Sequence, residues 1–386
     1  MWDRSLFILA AMTLISSFGV AVMLPLIPLY GISLGASPFQ LGLLTSGFAL
    51  ASAAGQLFSG IVIDRLGSRG FIRGGIAVYA GANALIATAN DAFSLIAFRS
   101  LAGLGSGANL VASRLYLSQI ADPQRMAFVN GILSAANSTG QVIGPAFGGI
   151  VAALGDLRLP FILVSITSGL AFLAAWLLPL PPTAAPNPRD AARETATLNR
   201  ATIVLLAAQL ALLAGYGAII TTYAPLATTV LGWTTLEIGI AFSILGAGSI
   251  LLGPYLAHLA DRVGRQPIAV AACAPLVLFG ITLAIALPRE VIYVIVFLAG
   301  AGLTAFNAAW FALLAEASAM SRRGRTFGIV NAVAQLGTVA GALIASVIWQ
   351  SIGIVPAMVS GSAFIAAAGI AMMLLESPRI HANLRE

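Results

Sequence analysis

Long apolar runs recur along the whole chain, and about 18 or more apolar residues in succession are what a helix needs to cross the hydrocarbon of a bilayer. They fall at approximately 5–30, 40–62, 71–90, 92–115, 127–154 and 158–179. Beyond a polar stretch they resume at 201–230, 237–259, 267–287, 290–315, 326–351 and 354–375. The expectation is an all-α membrane protein with twelve transmembrane helices. Composition agrees, since 59% of the 386 residues are hydrophobic and only 8% charged, so water cannot be the solvent for most of the chain. The first run is longer than the roughly 7 to 15 residue apolar core of a signal peptide, and it reads as a retained span.

Charge placement sets an orientation. All 19 basic residues are arginine. With the N-terminus cytoplasmic, fifteen of them (Arg4, Arg65, Arg69, Arg73, Arg125, Arg189, Arg193, Arg200, Arg262, Arg265, Arg322, Arg323, Arg325, Arg379 and Arg385) lie inside and two, Arg158 and Arg289, outside. That bias fits the positive-inside rule, and both termini are expected in the cytoplasm. The net charge of +6 then reflects topology and anionic lipid headgroups. No basic patch interleaved with aromatics points to nucleic acid. Cys273, His258 and His381 have no metal-ligand neighbours in sequence, and no nucleotide-binding loop is present, so neither a cofactor nor enzymatic chemistry is expected.

The chain repeats itself. A shift of 197 residues without gaps pairs Pro28 with Pro225, Gly42 with Gly239, Asp64 with Asp261, Arg65 with Arg262 and Gly67 with Gly264. The same shift pairs Leu101-Ala102-Gly103 with Leu298-Ala299-Gly300, Arg125 with Arg322, Gly131 with Gly328, Gly140 with Gly337 and Gly144 with Gly341. Two pseudo-symmetric six-helix bundles follow, 1–180 and 201–386, joined by a cytoplasmic linker at 181–200 that carries four prolines. Parallel repeats of this kind place a substrate site near the midplane between the halves, opened alternately to each side.

Three motifs carry a resemblance. "GIVIDRLGSRG", from Gly60 to Gly70, matches the loop between helices 2 and 3 of the major facilitator superfamily, with a degenerate copy, "HLADRVGRQ", at 258–266. "RSLAGLGSGA", from Arg99, is similar to that superfamily's helix-4 motif. "GILSAANSTGQVIGPAFGG", at 131–149, fits the helix-5 pattern of its drug:proton antiporter branch at Gly131, Gly140, Gly144, Pro145, Gly148 and Gly149. The resemblance covers the whole chain. It implies efflux and a conformational latch built from Gly60, Asp64, Arg65, Gly67, Arg69 and Asp122, with Asp261, Arg262 and Glu316 as the second half's weaker version. Independently of the family, Gly140, Gly144 and Gly148 recur every four residues, a smooth strip on which another helix can pack closely.

Helical spacing marks candidate cavity walls. Thr45, Ser52, Gln56 and Ser59 share a face of span two; Asn130, Ser134, Asn137 and Gln141 share one on span five; Gln209, Tyr216 and Tyr223 share one on span seven. Ser16 with Met23, Asn331 with Gln335, and Asn307 with Trp310 extend the set. Each of these residues serves equally well as a bond between helices or as a ligand contact. Arg99 and Arg114 lie within span four, where an arginine costs from about 2.5 kcal/mol upward, and their counterparts in the repeat are Val296 and Phe311. The alternatives are a substrate or coupling role, backbone bonds for Arg99, and snorkelling for Arg114.

No carboxylate falls at mid-depth. Asp64, Asp122, Asp261, Glu316 and Glu376 stand at inner helix ends, and Asp91, Asp156, Glu237 and Glu290 at outer ends. Here the chain departs from antiporters of cationic drugs. If protons are coupled, Asp64, Asp122 and Glu316 are the inner-side carriers. The leading expectation is a secondary transporter that exports small amphiphilic molecules in exchange for protons, a monomer among the lipids of a bacterial inner membrane. A facilitator or lipid-translocating protein without proton coupling is the alternative within the fold, and a transport-incompetent scaffold or receptor is the alternative outside it.

Overall fold

A computed structural model describes residues 4–120, 126–179, 199–318 and 323–375. They form fourteen helices: α1 (Arg4–Met23), α2 (Ile27–Ser33), α3 (Pro38–Leu66), α4 (Ser68–Ala87), α5 (Ala92–Ile120), α6 (Met126–Ala152) and α7 (Leu159–Trp176), then α8 (Arg200–Thr229), α9 (Thr235–Leu251), α10 (Gly253–Val263), α11 (Arg265–Ala284), α12 (Arg289–Ala317), α13 (Arg323–Ile352) and α14 (Ile354–Met373). Among the described residues, ten helices are individually long and apolar enough to span, and α9 with α10 forms a pair bent by 43° that passes the test together. The 27-residue α6 is not among the ten. Asn137, Ser138, Thr139 and Gln141 in its interior dilute its hydropathy.

Two of the expected spans are each broken into two helices. The run at 5–30 breaks in a turn at 24–26, where Pro25 has no N–H to continue the ladder and Pro28 sits in the first turn of α2. The run at 237–259 breaks at Leu252, directly before Gly253-Pro254. A glycine and a proline together are the usual cause of so sharp a bend.

Helix boundaries obey the 197-residue register. Ser37 caps α3 in a capping box with Gln40, and Thr234 caps α9 in the same way with Glu237. Gly67 at φ 74° separates α3 from α4, as Gly264 at φ 120° separates α10 from α11; both positions favour a residue without Cβ. Packing repeats as well. In the first half α5 packs on α3 and α4, α1 on α6, and α7 on α4 and α1. In the second half α12 packs on α9, α10 and α11, α13 on α8, and α14 on α11 and α8.

The glycine strips explain two of these matched contacts. Gly140, Gly144 and Gly148 of α6 bring its backbone onto Leu14, Phe18 and Val22 of α1, while Gly337 and Gly341 of α13 lie against Leu210 and Ala214 of α8. A Cβ at any of these glycines would meet backbone atoms. Dispersion across so close an approach offsets the poor helix propensity of glycine.

Cys273 is buried, so cysteines added elsewhere report topology without background. Asn187→Cys is expected to resist an impermeant thiol reagent applied to intact cells, and Arg289→Cys to react. Labelling at 187 from outside inverts the orientation drawn from the arginines.

Candidate functional site

Two seams join the halves, α6 with α9 and α3 with α13, and they are equivalent under the repeat. Gly239 of α9 faces the backbone of Pro145, and Gly42 of α3 faces the backbone oxygen of Ala342, the counterpart of Pro145. Gly149 stands against the backbone of Thr235 and Leu236. Hydrogen bonds cross between the halves as well: on the α6–α9 seam Ala146 N–H donates to Ser243 Oγ at 3.0 Å and Thr235 Oγ1 donates to the Gly149 carbonyl at 3.2 Å, and a third bond, Thr221 Oγ1 to Thr45 Oγ1 at 3.0 Å, joins α8 to α3. Pro145 contributes by subtraction. Without an N–H it leaves the α6 ladder incomplete, and the next N–H turns to the other half. These contacts gather at the end where α3 and α9 begin and α6 and α13 finish, opposite the end that bears the N-terminus.

Deeper from the seams lies a cavity of about 640 Å³ lined by both halves, a size in the range of small-molecule sites. Of the residues singled out by spacing, Ser16, Thr45, Ser52, Gln56, Arg99, Asn137, Gln141, Pro145, Tyr216, Tyr223 and Gln335 line it. Ser17 donates to Asn137 Oδ1, and Gln56 Nε2 donates to Ser52 Oγ at 3.5 Å. Gln141 and Gln335 are exposed. Tyr223 sits edge-on to Phe242 at 5.1 Å and 5.6 Å from Phe279, and all three line the cavity. The Tyr223 hydroxyl is buried without a hydrogen-bond partner.

Among the described residues Arg99 is the cavity's single charged lining residue. It is 4% exposed. Its guanidinium lies over the Phe48 ring, 4.0 Å from the centroid, with Nη1 3.4 Å from Met23 Sδ. The cation–π contact and the polarisable sulfur steady the charge without neutralising it.

Other expected site residues lie elsewhere. Gln209 is buried beside Asn307, Nε2 to Oδ1 at 3.5 Å, and Trp310 is fully buried with Nε1 donating to the Leu205 carbonyl at 2.8 Å. This trio fastens α8 to α12 within one half and is not on the cavity wall. Arg114 is exposed and also off the wall. Ser59 bonds back to the Gly55 carbonyl. Ser134 and Gly131 are exposed. The side chains of Asn130 and Asn331 lie outside the described residues.

At the other end, Arg69 and Arg73 donate to the carbonyls of Ala175 and Trp176, the last turn of α7. Gln266, the counterpart of Arg69, donates to the Met372 and Leu375 carbonyls at the end of α14. Both halves thus satisfy a helix C-terminus from the same position, where positive charge is also favourable. In the second half Arg265 joins Asp261, at 3.2 Å, and Glu316. Arg262 is exposed. Asp122 and the side chains of Asp64 and Arg65 lie outside the described residues, and Gly60 lies within α3. Spacing did not single out Arg265, because an arginine at a cytoplasmic helix start also satisfies the positive-inside rule. Nor did it find Phe48 and Met23 as the seat of Arg99, a contact made by three spans far apart in sequence.

The Major Facilitator Superfamily profile matches residues 9–296 and, in a second placement, 205–386. An uncharacterised MFS-type transporter of Methanocaldococcus jannaschii, MJ1560, is 27% identical over 159 residues, 41% of each chain. The quinolone resistance protein NorA of Staphylococcus aureus is 26% identical over 176 residues, 46% of this chain and 45% of NorA. The match spans less than half the length of either relative. A bacterial homologue of the human lysosomal transporter Spinster, in an inward-facing and occupied conformation, superposes with a TM-score of 0.77 at 16% identity, covering 96% of this chain and 95% of that one. A helical protein whose second half repeats its first, and which the profile covers from residue 9 to 386, belongs to the Major Facilitator Superfamily, a family of membrane transporters and not of enzymes: it is a multi-pass membrane protein.

Proposed function

We propose that the protein exports small amphiphilic molecules by alternating access, with protons moving the other way. The observation that carries the reading is the place of the 131–149 motif: one face of α6 is fixed to α1 by glycines, and the other forms a seam with α9 through Pro145, Ala146 and Gly149. A helix that is rigidly part of one half and reversibly part of the other is what a rocking mechanism needs. The moving bodies are then 1–180 and 201–386, with 181–200 as the connection. With the N-terminus cytoplasmic, the seams close the outer side and the cavity faces inward. Similarity to NorA, a resistance protein, supports export as the direction. Asp64, Asp122 and Glu316 are the proposed proton carriers and, with Gly60, Arg65, Gly67, Arg69, Asp261 and Arg262, the inner latch.

A second reading, facilitation without protons, is favoured by one observation: among the described residues no carboxylate lines the cavity. Purified protein in vesicles separates the two. With an imposed gradient of one pH unit that drives protons inward, an amphiphilic substrate is expected to be driven out against its own gradient up to a concentration ratio of about tenfold for one-proton exchange, since one pH unit is worth about 1.4 kcal/mol. Flux indifferent to the gradient selects the facilitator, and no flux of any compound rejects both.

A further inference from the structure

The cavity wall divides its chemistry between the halves. The first half contributes the lone guanidinium of Arg99, 96% removed from solvent, and the second contributes the Tyr223–Phe242–Phe279 cluster and Tyr216. Among the described residues no carboxylate lies within salt-bridge distance of Arg99, and its neighbours are a ring face and a thioether. Neither removes a unit of charge. A buried cation without a counter-ion, in a cavity sealed on one side, favours the arrival of an anion. Tyr216, 39% exposed, lines the same cavity as Arg99 and carries a phenol that can donate to an anion, while Tyr223, 1% exposed, stands on the aromatic wall of the other half.

We infer that the preferred ligand of this cavity is an amphiphilic organic anion, a carboxylate or sulfonate on an aromatic or branched apolar body. Its head group pairs with Arg99, with Tyr216 as a second donor, and its body lies against Tyr223, Phe242 and Phe279. The ligand bridges the halves, so the charge comes from the half that lacks the aromatic wall. A cationic amphiphile meets like charge in a low-dielectric site, with no acid to offset it among the described residues. The inference rests on the export reading only in taking this cavity as the substrate site.

The test uses three naphthyl probes differing in head group, 2-naphthylacetate, 2-naphthylacetamide and 2-(2-naphthyl)ethylammonium, titrated into the purified full chain at equilibrium. A hydrogen bond to a charged group predicts that the acetate binds about tenfold or more tighter than the acetamide, with the ammonium weakest. Arg99→Gln should remove the preference for the acetate while keeping acetamide affinity, which also shows that the variant is folded. Tyr216→Phe, at a half-exposed position, should weaken only the acetate, by a few-fold. Repeating the titration in nanodiscs with and without phosphatidylglycerol separates the sources of the anion: competition assigns it to a lipid headgroup, and its absence to a free acid. Equal binding of the three probes, preference for the ammonium, or binding of none overturns the inference. Because binding is read without flux, a failure here is distinct from a failure of export.

Discussion

Gly149→Val is expected to hold the protein open at the seams, with the closed form falling by more than 100-fold relative to the open one. A Cβ at Gly149 would stand 2.5 Å from the Thr235 carbonyl oxygen and 2.9 Å from Leu236 Cα, both backbone atoms of α9 in the other half. A branched side chain makes the clash worse, and overpacking of this kind costs about 3 kcal/mol. The cost exists only while α6 and α9 touch, so it is charged to one state alone and becomes a shift in population. Spin labels at Leu154→Cys and Val230→Cys, exposed positions beside the seam in different halves, should show the longer distance dominating. Flux should fall to background while the melting temperature changes little. An unchanged distance distribution would mean that the seam does not open and that α6 is a static strut.

Gly148→Val, one residue away, should unfold the protein instead. Successive helix positions point about 100° apart, and Gly148 faces α1: a Cβ there collides with the Val22 carbonyl oxygen and lies 3.0 and 3.1 Å from Val22 C and Cα. That contact lies inside one half and persists in every state. The penalty of about 3 kcal/mol or more therefore comes off stability itself, a large share of the about 5–15 kcal/mol typical of native proteins. A thermal melt in detergent should drop by several degrees or show no transition. Gly131→Ala is the control, because nothing lies within 4 Å of a Cβ at that position. It should leave the melt unchanged or raise it slightly, since alanine is the better helix former by about 1 kcal/mol. Equal losses at 131 and 148 would mean that the strip has no packing role.

The architecture was legible because bilayer length and the 197-residue register both act over long stretches, and noise in single residues averages out. The two broken spans are marked only locally, by Pro25 with Pro28 and by Gly253 with Pro254. Site residues divide for a different reason. Period-3.6 spacing finds a polar face, but a helix in this bundle has two kinds of buried face. Gln56, Asn137 and Gln141 look into the cavity, whereas Gln209 and Asn307 look at each other. Spacing along one helix does not say which neighbour stands opposite. Arg114 shows the same ambiguity at the helix end, where an arginine at interior spacing is nonetheless exposed.

The seat of Arg99 has a consequence for how the chain is made. Met23 and Phe48, which cover the guanidinium, belong to α1 and α3, and both precede α5 in sequence. A ribosome feeding the membrane N-terminus first therefore delivers the shields before the charge. An arginine left facing lipid costs from about 2.5 kcal/mol upward, so the order of synthesis spares the fourth crossing an interval in which it would be poorly retained. A rearranged chain that began at α5 and ended with α1 and α3 would expose the same guanidinium to lipid for as long as the rest took to emerge. Such a chain could contain every contact of the finished fold and still fail at the translocon, because the contacts would come in the wrong sequence of events.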